Sequence, residues 1–139
     1  MDYNTYREKA SMAYAEKTLN DRKSYLRLFD IWVRCCREET RPPEIAVGAY
    51  KNLNRTARQR YEFSDCEPQG FDEISEFIFF LYNDLDYSRV MCRHYFDAIQ
   101  SYCDTLNLEV VDIETTERGF VETDDRARTS LDHIFAVGD

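Results

Sequence analysis

Between Ile74 and Tyr82 the chain reads Ile-Ser-Glu-Phe-Ile-Phe-Phe-Leu-Tyr, and no other stretch restricts the fold so strongly. Ile74, Phe77, Ile78 and Leu81 recur at the spacing of one helix face, while Phe79, Phe80 and Tyr82 fill much of the remaining circumference. A helix that is apolar nearly all round must be central in its domain or must meet a partner. It cannot be a membrane span: the longest apolar run, Phe77 to Tyr82, is far short of the roughly 20 residues a bilayer requires.

Helical periodicity extends over most of the remaining chain. Tyr3, Tyr6, Ala10, Ala13 and Tyr14 predict a helix over Tyr3 to Leu19, which Asn20-Asp21 ends while capping the next. Tyr25, Phe29, Trp32 and Cys36, widened by Leu28, Ile31 and Cys35, predict a second helix from about Arg22 to Glu39. Its stripe is broad enough to pack on two sides. Arg41-Pro42-Pro43 interrupts it, and Pro43 suits the opening position of a third helix through Leu53. A basic fourth helix is expected over Arg55 to Phe63, followed by a loop from Ser64 to Gly70. Asp72 is the expected N-cap of the Ile74 helix. Asp86 is the expected N-cap of a sixth, with Leu85 and Val90 as its hydrophobic staple and Asn107 as its left-handed terminator.

The composition agrees with this reading. Ten Tyr, nine Phe and one Trp supply a large apolar area for a core. Four Gly and three Pro are too few for a many-turned β-sandwich. The expected class is therefore all-α or mainly α, a compact bundle of about five to six helices over residues 1–108. Residues 109–139 read as an acidic C-terminal extension. Within it, 109–122 could pair as a short β-hairpin, and Leu131, Ile134 and Phe135 would share a face of a final helical turn.

Charge is unevenly spread. Residues 1–60 carry thirteen Lys/Arg against eight Asp/Glu, net +5, whereas residues 61–139 carry five against nineteen, net −14. Such a polarised field steers association. Five cysteines in no paired pattern are a poor disulfide framework, and Met1-Asp2-Tyr3-Asn4 lacks the features of a secretory leader. A cytoplasmic or other intracellular location is expected.

No catalytic or metal-binding set assembles from the sequence, and no cofactor is expected. Cys92 and His94 point to opposite sides of one helix, and Cys103 lies three turns from Cys92, too far to share an ion with it. Asp72, Glu73 and Glu76 sit as they would in a helical Mg²⁺-dependent nucleotide phosphohydrolase. The sixth helix, however, supplies only Asp97 and Asp104, which leaves the oxygen cage of Mg²⁺ incomplete. Four glycines scattered at 48, 70, 119 and 138 make no phosphate loop.

The leading functional expectation is a small acidic protein that binds another protein and inhibits or redirects it. Immunity proteins and phage- or plasmid-encoded antagonists of host or defence enzymes are of this general type. The partner could be a nucleic-acid-binding enzyme or complex, occupied by carboxylates that imitate phosphates. Asp72, Glu73, Glu76, Asp84 and Asp86 are the expected contacts, with Tyr82 and Tyr87 as apolar anchors and a contribution from Asp124 and Asp125. The alternative is a nucleic-acid-binding regulator in which residues 43–63 form a helix-turn-helix presenting Arg55, Arg58 and Arg60. Homodimerisation through the Ile74 helix is a further expectation.

Overall fold

The computed structural model describes residues 1–39 and 41–108. Within them the protein is mainly α-helical, with six helices and no strand. The hairpin, the final turn and the acidic extension expected beyond residue 108 lie outside the described residues. The chain divides after Glu67 into two compact units.

The first unit, Met1–Glu67, contains α1 (Tyr3–Ala10), α2 (Glu16–Glu38), α3 (Pro43–Lys51) and α4 (Arg55–Gln59). Helix α2 is its axis and packs against both α1 and α3. Every residue from Leu26 to Val33 is buried, so the helix is enclosed on all sides for two turns, as its broad apolar stripe requires. That enclosure takes in two charged side chains, Arg27 and Asp30.

The break between α1 and α2 differs from expectation. Asn20-Asp21 lies inside α2, and the chain turns at Ser11–Tyr14 instead, where Ala13 and Tyr14 donate backbone hydrogen bonds to the Ala10 carbonyl. Tertiary contacts outweigh the local capping preference. Asn20 accepts from Arg7 Nη1 at 3.0 Å rather than capping a helix, and Asp21 pairs with Lys17 one turn earlier. The Tyr3 hydroxyl donates to the carbonyl of buried Leu19, which ties the first turn of α2 to α1.

Helix α4 is also shorter than its sequence suggests. Asn54 caps it by accepting from Ala57 N at 2.8 Å, but it ends at Gln59 and not Phe63. The residues that follow are drawn away. Tyr61 and Ser64 hydrogen-bond to Asp30 on α2, and the Tyr61 ring meets Tyr50 and Phe63 edge-on.

The second unit begins at Pro68 and holds α5 (Phe71–Asn83) and α6 (Arg89–Thr105), which pack together. Ile74, Phe77, Ile78 and Leu81 of α5 and Ala98, Ile99 and Tyr102 of α6 are fully buried. Both N-caps fall elsewhere than predicted. Gly70, not Asp72, precedes α5, and Glu73 reaches back to accept from Gln69 N at 3.0 Å. That bond resembles the return arm of a capping box, but it falls on the residue before the N-cap. Ser88, not Asp86, caps α6 by accepting from Met91 N, while Asp86 adopts a left-handed φ of 58°. The shift moves the staple positions to Tyr87 and Cys92 and leaves Val90 64% exposed. At the other end Asn107 takes the left-handed conformation its sequence position predicts, with φ 57°. Asn107 N donates to the Asp104 carbonyl and Leu108 N to that of Cys103, a complete Schellman termination.

Candidate functional site

The residues expected to make contacts fall on and around α5. Asp72, Glu76, Phe79 and Asn83 succeed one another at three- and four-residue steps, so they line the side of the helix opposite its buried face, and all four are exposed. Phe79 is 46% exposed in the middle of this ridge. Tyr82, half-buried, flanks it. The ring has Glu76 and then Asp72 toward the helix N-terminus and Asn83 toward its C-terminus.

The other expected residues do not join the ridge. The Glu73 carboxylate is engaged by the Gln69 backbone. Asp84 is the C-cap of α5 and Asp86 lies beyond it; both are exposed at the far end of a helix of thirteen residues, about 20 Å from Asp72. Tyr87 is half-buried, its ring 5.6 Å from that of Tyr95. Phe79 is an exposed ring that periodicity alone does not single out. The sequence shows an apolar residue in an apolar run, and only the packing of α6 reveals which side remains uncovered.

Of the basic residues, Arg55 and Arg60 are exposed and Arg58 is half-buried. They surround a helix of five residues, about 7 Å long. Arg34 of α2 lies over Tyr61, its guanidinium carbon 5.7 Å from the ring centroid.

Sequence reasoning missed the polar centre of the first unit. The Asp30 side chain is completely buried. Its Oδ2 accepts a hydrogen bond from the Tyr61 hydroxyl and another from Ser64 N at 3.0 Å. Its Oδ1 accepts from Ser64 Oγ at 2.8 Å and lies 3.9 Å from the Met1 amino group. That amino group in turn donates to the carbonyls of Ser64 and Cys66. Burial first, then the hydrogen bond to Asp30 and its negative charge, push the Tyr61 phenol above its ordinary range; Arg34 opposes the shift. With both oxygens occupied, Asp30 organises residues 61–66. The available signal was one acid, Asp30, set among Leu28, Phe29, Ile31 and Trp32.

None of the five cysteines is in a disulfide. Burial pushes the Cys92 thiol up to about 11, so it carries little thiolate near neutrality. Cys92 is buried and His94 is exposed, on opposite sides of α6. Among the described residues no three His, Cys, Asp or Glu side chains converge as they would around an ion. Among the same residues no helix is long and apolar enough to cross a membrane.

No protein-family model matches the chain, and no solved structure matches it. A short stretch is similar to dihydrolipoyl dehydrogenases. Identity is 50% over 36 residues with that of Haloferax volcanii, 48% over 40 residues with that of Halobacterium salinarum and 53% over 36 residues with that of Bacillus subtilis. These stretches cover 26%, 29% and 26% of this chain, and the chain spans only 8% of the length of each of these relatives.

Proposed function

We propose that this protein acts by binding another protein through the exposed ridge of α5, in the manner of a small inhibitor or immunity-type antagonist. The observation that carries the reading is Phe79, 46% exposed between the carboxylates of Asp72 and Glu76 on one side and Asn83 on the other. A partner suited to it presents an apolar pocket for the ring and a basic rim for the acids, a combination offered by enzymes or complexes that handle nucleic acids. Aromatic anchors in such pockets supply most of the binding energy, and the surrounding charges set orientation and association rate.

The test is affinity capture with the wild-type chain, F79A and E76K, followed by a binding titration with the captured partner. F79A is expected to lose about 2 kcal/mol of binding while its circular dichroism spectrum stays unchanged. E76K is expected to slow association, most clearly at low salt. Full retention of affinity by both folded variants would remove the ridge from the interface. The alternative, a nucleic-acid-binding regulator, rests on the exposure of Arg55 and Arg60. It predicts instead that affinity for duplex DNA falls steeply with salt and drops in R55A and R60A.

A further inference from the structure

A cleft of about 330 Å³ opens in the first unit between the start of α1, Lys23 of α2 and the segment 61–63. Its walls include three aromatic rings: Tyr3, Tyr61 and Phe63. Tyr3 and Phe63 are stacked, 5.5 Å apart and 12° from parallel, and Tyr61 meets Phe63 edge-on. The volume is at the small end of the range typical of ligand pockets.

One side of α2 runs Lys23, Arg27, Asp30, Arg34, at steps of four, three and four residues. Side chains so spaced share a helix face. The Asp30 charge is already taken up by Tyr61, Ser64 and the Met1 amino group. Arg27 is only 7% exposed, yet no acidic side chain pairs with it among the described residues, and its Nε has no hydrogen-bond partner there. Lys23, which borders the cleft one turn earlier, has no carboxylate partner among them either; its ammonium lies 5.1 Å from the centre of the Tyr3 ring. A third cation, Arg7, donates to the Tyr3 hydroxyl at 3.2 Å. Buried charges in folded proteins are ordinarily paired, because an unpaired one is costly. Arg27 is such a charge, and half-exposed Lys23, one turn earlier on the same helix, borders an aromatic cleft without a carboxylate at ion-pair distance.

We propose that this cleft is a binding site for a small anion carrying a flat ring, such as a nucleoside monophosphate or an aromatic carboxylate. The anionic group is met by Lys23, with Arg27 behind it on the same helix face, and the ring by Tyr3, Tyr61 and Phe63. Of the two acids in the cleft wall, Asp2 is occupied by Thr5, whose backbone N–H and hydroxyl it accepts at 3.2 and 2.7 Å, and Glu62 is exposed to solvent. Among its charged neighbours Lys23 is shifted by cations rather than by these two acids. Burial, and then the positive charges of Arg27 and Arg7, hold its ammonium below the ordinary lysine range. This site is separate from the α5 ridge and stands whether or not the ridge binds a partner.

The experiment is a titration of the full chain with adenosine monophosphate and, separately, with benzoate, followed by the aromatic proton resonances and by thermal melting. Adenosine and inorganic phosphate serve as controls lacking the charge and the ring. Both probes are expected to shift resonances of Tyr3, Tyr61 and Phe63 and to raise Tm, more strongly than either control. In K23Q and R27M the affinity is expected to fall about tenfold. R27M also carries a readout that a purely structural arginine would not give: the ligand-free variant should melt higher than wild type, because an unpaired buried charge is gone. The half-exposed Lys23 tolerates replacement, so K23Q tests the site even if R27M misfolds. The proposal is overturned if neither anion shifts these rings, if adenosine binds as tightly as its monophosphate, or if K23Q binds like wild type.

Discussion

The two units are held together by different means. In the first, a completely buried carboxylate gathers the hydroxyls of Tyr61 and Ser64, a backbone N–H and an amino group, and thereby fixes a segment that lacks regular structure. In the second, the described pair α5 and α6 relies on apolar packing, with Phe77 and Tyr87 both against Tyr95, and on orderly helix termination. A polar centre is directional: each partner must be present, and removal of one leaves the others buried and unsatisfied. An apolar interface is graded, and its loss scales with the area and cavity involved. The first unit should therefore respond sharply to single atoms and to pH, and the second to volume.

The strongest way to break this contrast is D30A. Removing the carboxylate strands the Tyr61 hydroxyl and the Ser64 groups and takes the nearest buried anion from the Met1 amine, at an expected cost of about 3–5 kcal/mol. The single tryptophan, Trp32, lies on α2 in the same unit, so urea unfolding followed by its fluorescence reports the loss. A cost below about 1 kcal/mol, the scale of one ordinary net hydrogen bond, would show that the network is incidental.

Y61F deletes one hydroxyl and should cost about 1–3 kcal/mol, the penalty of a buried acceptor left short of a partner. It also has a pH signature. The Tyr61 phenol is raised in the folded state, so its contribution is fully present below the ordinary tyrosine value of 10.0. It is lost as pH rises from there toward the folded-state value. Wild-type stability should fall above that point and the Y61F profile should be flatter; identical alkaline profiles would contradict the assignment.

The smallest effect sharpens the second half of the comparison. S88A removes the side-chain cap of α6 and should cost about 1 kcal/mol. Amide exchange in the first turn of α6 should quicken, while Trp32 fluorescence in the first unit stays the same. An equal loss from D86A would instead restore Asp86 as the cap.

Much of this architecture could be read directly from residue order. The spacing of Ile74, Phe77, Ile78 and Leu81 identified the buried side of α5, and the broad stripe of α2 anticipated its enclosure. Pro43 opened α3 and Asn107 closed α6 where expected. These features are legible because they depend on local geometry: periodicity, the fixed φ of proline and the tolerance of asparagine for left-handed backbone.

Where several polar residues could serve as a cap or a break, the sequence could not choose among them. Asp72, Asp86 and Asn20–Asp21 were the expected caps or breaks, but the helices begin after Gly70 and Ser88 and the chain turns at Ser11–Tyr14. The same holds for the candidate sites. Periodicity alone does not say which aromatic of the Phe77–Tyr82 run is exposed; that Phe79 is the one beside Glu76 follows from which side of α5 its neighbours leave open. Asp30, Tyr61 and Ser64 carry no spacing signal, because they meet across more than thirty positions of chain. Residue order determines which surfaces are apolar, but the free energy of a buried charge depends on what folds against it, and only the tertiary structure supplies that.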